Sequence, residues 1–252
     1  MLPIAAKNKI GQPFIQFDAI ASTNSYAIDR IQANLAAHGT TYFAHNQTEG
    51  KGQRGKKWVT ENGTNIILSV IVDCSILPIQ NQFKLSAAVA LACFDFFSQY
   101  AGEETTIKWP NDIYWRDRKA AGILIENIVR GSDWTYAVIG IGMNINQTIF
   151  SPEAKNPVSL KQITSKNFDI IDMAKQLCSC LEKRYEQVIN NDFENILLNY
   201  NKHLYKATQQ VTLKKKFIVF KCIIDGVNQY GQLLVKDAAQ TSFDFGEVEW
   251  VV

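Results

Sequence analysis

Apolar positions recur along the chain with two alternating periods. A first strand starts near Phe14, after which Ser22 and Thr23 are good helix N-caps and Ile28, Ile31 and Leu35 follow at helical intervals. That pattern predicts a helix ending near Gly39. The next runs are β-branched: "TTYFAH", and "NIILSVIV" after the turn "NGT" and bounded by Asp73 and Pro78, predict two strands. "FKLSAAVALACFDFFSQY", Phe83 to Tyr100, predicts a largely apolar helix packed on one face of a sheet. "TIKWPND" predicts a short strand stopped by Pro110, because proline removes a ladder donor. "AAGILIENI" and "WTYAVIGIGMNI" predict two more strands, paired antiparallel across the turn residues "RGSD". From Asp169 onward Ile170, Ala174, Leu177, Cys178, Leu181, Tyr185 and Val188 mark a long amphipathic helix, with a further helix from Asp192 to about Leu204.

The pattern shifts again at "NKHLYKATQQ". Beyond it "FIVFKCII", "QLLVK" and "GEVEWVV" alternate between the turns "DGVNQYG" and "KDAAQ", which predicts a small antiparallel barrel of about 45 residues. Two units are expected, residues 1–205 and 206–252, the second too small to be very stable alone and therefore docked on the first. The expected class is α+β, a mixed or antiparallel sheet flanked by helices. There is no internal repeat and no low-complexity segment.

At 252 residues, 46% apolar and 20% charged, the chain is ordinary for a globular protein, and its formal charge of +2 is too small to predict nucleic-acid binding by itself. The five cysteines (Cys74, Cys93, Cys178, Cys180, Cys222) are odd in number, sit in apolar contexts and form no C-x-x-C pair, which disfavours a disulfide framework and a zinc site. The three histidines are scattered. "MLPIAAKNKIG" lacks the apolar core of a secretory signal, and no run approaches the roughly 18 apolar residues of a membrane span. The reduced cytoplasm is the expected setting, with no membrane partner.

Local clusters carry the chemistry. "TEGKGQRGKKW", Thr48 to Trp58, sets Gly50, Gly52 and Gly55 among Lys51, Arg54, Lys56 and Lys57. It satisfies G-x-G-x-x-G and also the G-x-x-x-x-G-K of a P-loop, yet Lys57 stands where a P-loop needs Ser or Thr, and the expected strands on both sides leave no helix to receive a phosphate. What remains is a strand-to-strand loop whose glycines let N–H groups and cations wrap an anion, against a plainer reading in which Gly52 and Gly55 merely serve a hairpin. "KWPND", Lys108 to Asp112, alone reads equally well as a Pro-Asn-Asp turn, and Lys119 alone as a solvated strand end. "GIGMNIN" puts Gly140 and Gly142 at alternate positions of a strand, where a ligand or another backbone is expected to come close.

Together, "STN" (Ser22 to Asn24), "NQTEGKGQRGKKW", "KWPNDIYWRDRKAAGILIE" and "GIGMNIN" occur in the order and approximate spacing of the biotin protein ligases, and the chain closely resembles that family from about residue 14 to its end. The resemblance implies the class II synthetase-like biotin/lipoate ligase catalytic fold with a small C-terminal SH3-like barrel. It implies an enzyme that joins biotin to ATP as biotinyl-AMP, releases pyrophosphate, and transfers biotin to one lysine of a biotin carboxyl carrier domain of carboxylases such as acetyl-CoA carboxylase. ATP and Mg2+ would be needed, the magnesium held mainly by the ATP phosphates rather than by a protein metal site.

Carried over by motif, the resemblance gives Ser22, Thr23, Asn24 and Gln47 the ureido ring, Gly50, Lys51, Gly52 and Gln53 a loop closing over biotin and the acyl phosphate, and Gly122 a close backbone approach. It makes Lys119 the contact to the biotin carboxylate and adenylate oxygens and the best single catalytic candidate, with Arg54 and Lys108 beside it. Arg54, Lys56 and Lys108 would face ATP phosphates, Asn144 would bond adenine, Trp58 would stack near the base, and Asn111 would order the region. The family loop often reads G-R-G-R, whereas Lys51 and Gln53 stand in place of two arginines here. Some relatives carry an N-terminal DNA-binding helix-turn-helix; a first strand near Phe14 leaves no room for one, so a short single-function ligase is expected, with no DNA partner. A homodimer built by extending the sheet accords with family behaviour. The rival readings are a lipoate or octanoate ligase or transferase of related fold, a single-stranded nucleic-acid module using Lys51 to Lys57 with Trp58, Trp109, Tyr114 and Trp115, and a biotin-binding or carrier-docking protein that has lost catalysis.

Overall fold

The computed structural model describes residues 8–251; the expectation about a signal segment at residues 1–7 and the last position of the predicted strand "GEVEWVV" lie outside them. In chain order the elements are β1 (Phe14–Ile20), α1 (Thr23–Gln32), β2 (Thr41–Gln47), β3 (Ile66–Asp73), α2 (Gln82–Ala101), β4 (Thr105–Lys108), β5 (Asp112–Trp115), β6 (Arg118–Arg130), β7 (Asp133–Met143), α3 (Leu160–Thr164), α4 (Ile170–Ile189) and α5 (Phe193–Lys202). A second group follows: β8 (Gln210–Lys215), β9 (Ile218–Val227), β10 (Leu233–Lys236), β11 (Ser242–Phe243) and β12 (Glu249–Val251).

The first seven strands form one mixed sheet in the order β1-β2-β3-β7-β6-β5-β4, parallel only between β1 and β2. Its two faces are legible from strand alternation. Ile66, Leu68, Val70 and Val72 of β3 and Ala137, Ile139, Ile141 and Met143 of β7 enter the main core with α2 and α4, whereas Ile71 and Val138 join Ala27 and Ile31 of α1 and Tyr42 in a smaller cluster on the other face. Only part of that second face lies under α1. Ser69, Gly140, Gly142 and Gly122 continue it toward β5 and make the floor of the site.

Among the described residues the C-terminal strands form a single antiparallel sheet, order β11-β10-β9-β8-β12, and its edge strands β11 and β12 are not paired to each other. The expected closed barrel is therefore not formed. The C-terminal sheet docks mainly through α5 and the end of β4: Asn201 bonds both polar groups of the Val227 backbone, Trp109 Nε1 donates to the Gly231 carbonyl at 2.9 Å, and the buried Leu213, Cys222, Ile224, Leu233, Val235 and Phe243 join the main apolar cluster. No helix among the described residues is long and apolar enough to cross a membrane.

Three differences from the sequence reading have local causes. Helix α1 ends at Gln32 because Asn34 takes a left-handed φ of 56°, with Leu35 N–H bonding Arg30 O and Asn34 N–H bonding Ile31 O, a Schellman end; Leu35 is left 64% exposed outside it. Strand β5, four residues directly after the Pro-Asn turn, and β8, with Leu213 its one fully buried side chain, were too short or too polar to stand out. Helix α3 is only five residues long and rests on a capping box between Ser159 and Gln162.

Gly39 marks a backbone constraint. Its φ is +82°, its N–H bonds Ile71 O at 2.9 Å, and a Cβ placed there would overlap the Lys9 carbonyl. Gly39→Ala is expected to cost at least about 2 kcal/mol, left-handed strain plus displaced backbone. Calorimetry should show Tm falling by about 4–8 °C for a chain of this size.

Candidate active site

The head of α1 is built from buried polar groups. Ser22 caps the helix, accepting from Ser25 N–H, and Thr23 and Asn24 follow, all three below 5% exposed. Gln47, ending the neighbouring β2, accepts with Oε1 from Thr23 N–H at 2.7 Å and from the Thr23 hydroxyl at 3.0 Å. Ser69 of β3 lies 2.7 Å from Thr23 Oγ1 and 2.5 Å from Asn24 Oδ1. Asn24 Nδ2 donates to Glu126 Oε2 of β6 at 2.7 Å, which fixes its amide orientation, and the side chain lies against Gly140, where a Cβ would overlap it.

Thr23 gives its only hydroxyl proton to Gln47, so Ser69 has one proton for two acceptors, Thr23 Oγ1 and Asn24 Oδ1. Three hydroxyl contacts share two protons, so oxygens of this network can still accept from a ligand. A ligand with N–H groups completes it; an alkyl chain does not.

Beyond it the floor is paired glycine, Gly122 of β6 opposite Gly142 of β7. The glycine loop folds across this floor. Residues 50–58 make a small hairpin of their own, with Gly52 N–H on Lys56 O at 2.7 Å and Trp58 N–H on Gly50 O at 2.9 Å, and a 3-10 turn at Gln53–Gly55. The plainer hairpin reading of these glycines is thus part of the truth: Gly55 sits at φ +75°, and the Gly52 amide is spent on the loop. Lys51, Arg54, Lys56 and Lys57 are exposed around it. Gln53 Nε2 reaches the sheet, donating to Ile123 O at 3.2 Å, the carbonyl that also accepts from Asn111 Nδ2 at 2.7 Å.

Trp58 lays its indole on Gly122 and Gly142, leaving Nε1 buried without a hydrogen-bond partner. So Gly140 and Gly142 admit the side chains of Asn24 and Trp58, where a ligand or another backbone was expected.

Lys119, 29% exposed, stands at the end of this floor. Its Nζ lies 2.7 Å from Asp112 Oδ1 of β5, out of line for a hydrogen bond at that oxygen, and 5.7 Å from the Trp58 ring centroid. Asn144 braces the Lys119 backbone from beneath, Nδ2 donating to Val158 O at 3.1 Å and more weakly to Lys119 O at 3.4 Å, which leaves its carbonyl oxygen unused by those bonds. Lys108 is directly opposite Asp112 across β4 and β5 but is enclosed by aromatic rings, only 6% exposed. Burial pushes its pKa down to about 8, Asp112 and Asp117 pull it upward, and Lys119 and Lys155 add to the lowering. Arg54 is elsewhere: at the loop tip with φ 56°, its guanidinium lies against Gly246 in the turn between β11 and β12.

The model of the "Biotin/lipoate A/B protein ligase family" matches residues 16–144, just over half of the chain. The chain belongs to that family. Among curated relatives it is 33% identical to the bifunctional ligase/repressor BirA of Bacillus subtilis over 75% of this chain and 58% of the relative. It is 34% identical to the biotin--[acetyl-CoA-carboxylase] ligase of Mycobacterium tuberculosis over 58% of this chain and 54% of that protein. The chain thus spans less than two thirds of these relatives' length. The Aquifex aeolicus biotin protein ligase solved with biotin and ATP superposes with a TM-score of 0.78 at 21% identity, over 93% of this chain and 97% of that one, a likeness of fold.

Within this biotin/lipoate ligase fold, Ser22, Thr23, Asn24 and Gln47 converge at the head of α1, and Gly122, Lys119, Trp58, Gln53, Asn111 and Asn144 along the floor. Lys51 and Lys56 remain on the solvent side of the loop, and Lys108 and Arg54 turn toward C-terminal residues instead of toward Lys119. Sequence reasoning missed Ser69, Glu126 and Asp112. Two had a signal: a lone serine in "NIILSVIV" and a lone carboxylate in "AAGILIENI" are polar residues where an apolar strand has no use for them. Tyr205 and Trp250, which close on Lys108, had none.

Proposed function

We propose that this chain is a biotin protein ligase that adenylates biotin with ATP and transfers it to a lysine of a biotin carboxyl carrier domain. The observation that carries the choice of acyl substrate is the buried polar network of Gln47, Thr23, Ser69 and Asn24, whose oxygens can accept further hydrogen bonds. The ureido ring of biotin has two N–H groups to give and one carbonyl to accept; lipoate and octanoate have neither at that end. Relatives named as biotin ligases, and the Aquifex aeolicus structure solved with biotin and ATP, support the same reading.

In this reading the biotin carboxylate attacks the α-phosphorus of ATP, the bond to the β-phosphate oxygen breaks, and pyrophosphate leaves. The attack brings two anions together, so cations must offset their repulsion. Lys119 would turn from Asp112 to the carboxylate and the developing adenylate oxygens. The exposed cations of the loop would meet the polyphosphate. Trp58 must leave the glycine floor or stack on what enters it. Asn144 Oδ1 would accept from adenine. In the second step the neutral amine of the carrier lysine attacks the acyl carbon, AMP leaves, and an amide forms.

Among the described residues no group of three His, Cys, Asp or Glu side chains gathers where a metal ion could be held. Magnesium belongs to this reading only as the counter-ion that ATP carries.

The test is exchange of labelled pyrophosphate into ATP, with biotin, lipoate or octanoate as the acid. Exchange with biotin alone is expected; exchange with lipoate or octanoate, or none at all, overturns the assignment. A second outcome concerns retention of the intermediate. Gln53 binds Ile123 O without charge, whereas arginine would offer a two-pronged cation to carboxylate or phosphate. Gln53→Arg is expected to slow release of biotinyl-AMP by roughly tenfold, measured by filter-binding chase. An unchanged release rate would remove that role from position 53.

A further inference from the structure

Lys108 is buried where a lysine is rarely tolerated, and three rings from three parts of the chain make it tolerable. Its Nζ is 4.3 Å from the ring centroid of Tyr114 in β5, 5.2 Å from that of Tyr205 in the link after α5, and 5.1 Å from that of Trp250 in β12. It also donates to Tyr114 Oη at 3.2 Å. The link is fastened in place: Ile107 N–H bonds His203 O, Tyr205 N–H bonds Ile107 O, both at 2.8 Å, and Tyr205 Oη donates to Asp117 at 2.6 Å. Lys206 Nζ pairs with the same carboxylate at 2.9 Å.

The cage stands beside the reacting groups. Across the ladder from Lys108 is Asp112, and Asp112 is the carboxylate that holds Lys119. For Lys119 to serve a substrate anion it must leave Asp112, and the cost of that separation falls if a second cation stays next to the abandoned carboxylate. A desolvated lysine free to move into solvent would do so; one enclosed by rings that favour a cation stays.

We propose that Trp250 and Tyr205 are positioning residues for ligation: by closing an aromatic cage on Lys108 they keep a second cation beside Asp112, which frees Lys119 to turn to the substrate anions. The inference rests on the ligase reading and deepens it, since it makes the C-terminal sheet part of the catalytic apparatus. It also replaces the expectation that Lys108 faces the ATP phosphates.

The charged and titratable groups that face Lys108 are Asp112 and Tyr114 from β5, Asp117 from the turn after it, Lys119 from β6, Lys155 from the segment before α3, and Tyr205 from the link. Burial keeps both tyrosines protonated, with the Asp117 bond a further cause at Tyr205. Lys108 loses its proton near pH 8. Its cation is fully present below that pH and is lost above it.

The test uses biotin-dependent pyrophosphate exchange by the full chain, with biotin affinity and Tm measured alongside, for wild type, Trp250→Leu, Trp250→Phe and Lys108→Met. Trp250→Leu is expected to lower exchange kcat about tenfold while biotin affinity stays within about twofold, and Trp250→Phe, which keeps a ring, to restore most of it. Wild-type exchange should decline as pH rises through about 8. Trp250→Leu admits water to the ammonium and should move that decline upward toward the ordinary lysine range. Lys108→Met should remove it. If the wild type shows no biotin-dependent exchange, the ligase reading itself fails. If the wild type exchanges and folded Trp250→Leu keeps its kcat and its alkaline decline, the cage is a structural pin and the inference is overturned.

Discussion

Lys119→Ala is expected to abolish most biotin-dependent pyrophosphate exchange, lowering it by roughly 10²–10³-fold, the range found when one preorganised donor to a developing anion is removed. The size follows from position. Lys119 is the cation at the open end of the glycine floor, beyond the ring-binding head of α1, where a carboxylate tail must meet a phosphate. Its loss leaves the Asp112 carboxylate, 22% exposed, without its close partner and uncovers a repulsive charge in a site that must gather anions. Folding should suffer little, because the Lys119–Asp112 pair is partly solvated and such pairs contribute at most about 1 kcal/mol. A Tm within a few degrees of wild type together with lost exchange is the expected pair of results. Wild-type exchange rates in the mutant would remove Lys119 from the chemistry.

Gly140→Ala carries the second largest effect, and on a different quantity. The added methyl overlaps the Asn24 amide, which cannot swing aside without giving up Ser69, Glu126 and its packing at the head of a buried helix. Losing that amide as a ligand partner and leaving buried partners unpaired amounts to about 3 kcal/mol, so the Kd for biotin should rise by roughly 10²-fold. Isothermal titration with biotin measures it. The KM for ATP, whose groups lie toward Lys119 in this reading, should change much less, and an equal loss of both would show that the sheet had been disturbed.

What could be read beforehand divides along physical lines. Strands β3 and β7 and helices α2 and α4 were visible because burial on one or both faces forces a long apolar pattern. The end of α1 was misplaced because one asparagine in a left-handed conformation stops a helix as firmly as the more conspicuous Gly39. The closed barrel was a natural extrapolation from strand count, but closure depends on whether β11 and β12 reach each other, and that is geometry, not pattern. Glycines at 140 and 142 announced a close approach without saying what approaches; the answer, Asn24 and Trp58, comes from segments about 116 and 84 residues away in sequence and needs a folded chain. Ser69 and Glu126 broke an apolar rhythm and could have been found. Trp250 broke none.

The single core that runs from α2 and α4 into β8, β9 and β10 bears on how the molecule comes apart. The C-terminal sheet is too small to hold its shape on a core of its own, and the buried side chains it has belong to the cluster of the larger unit, so it should not outlast that unit. Heat or denaturant should therefore meet one cooperative transition, and backbone amides of β9 and β3 should exchange with solvent at the same global free energy.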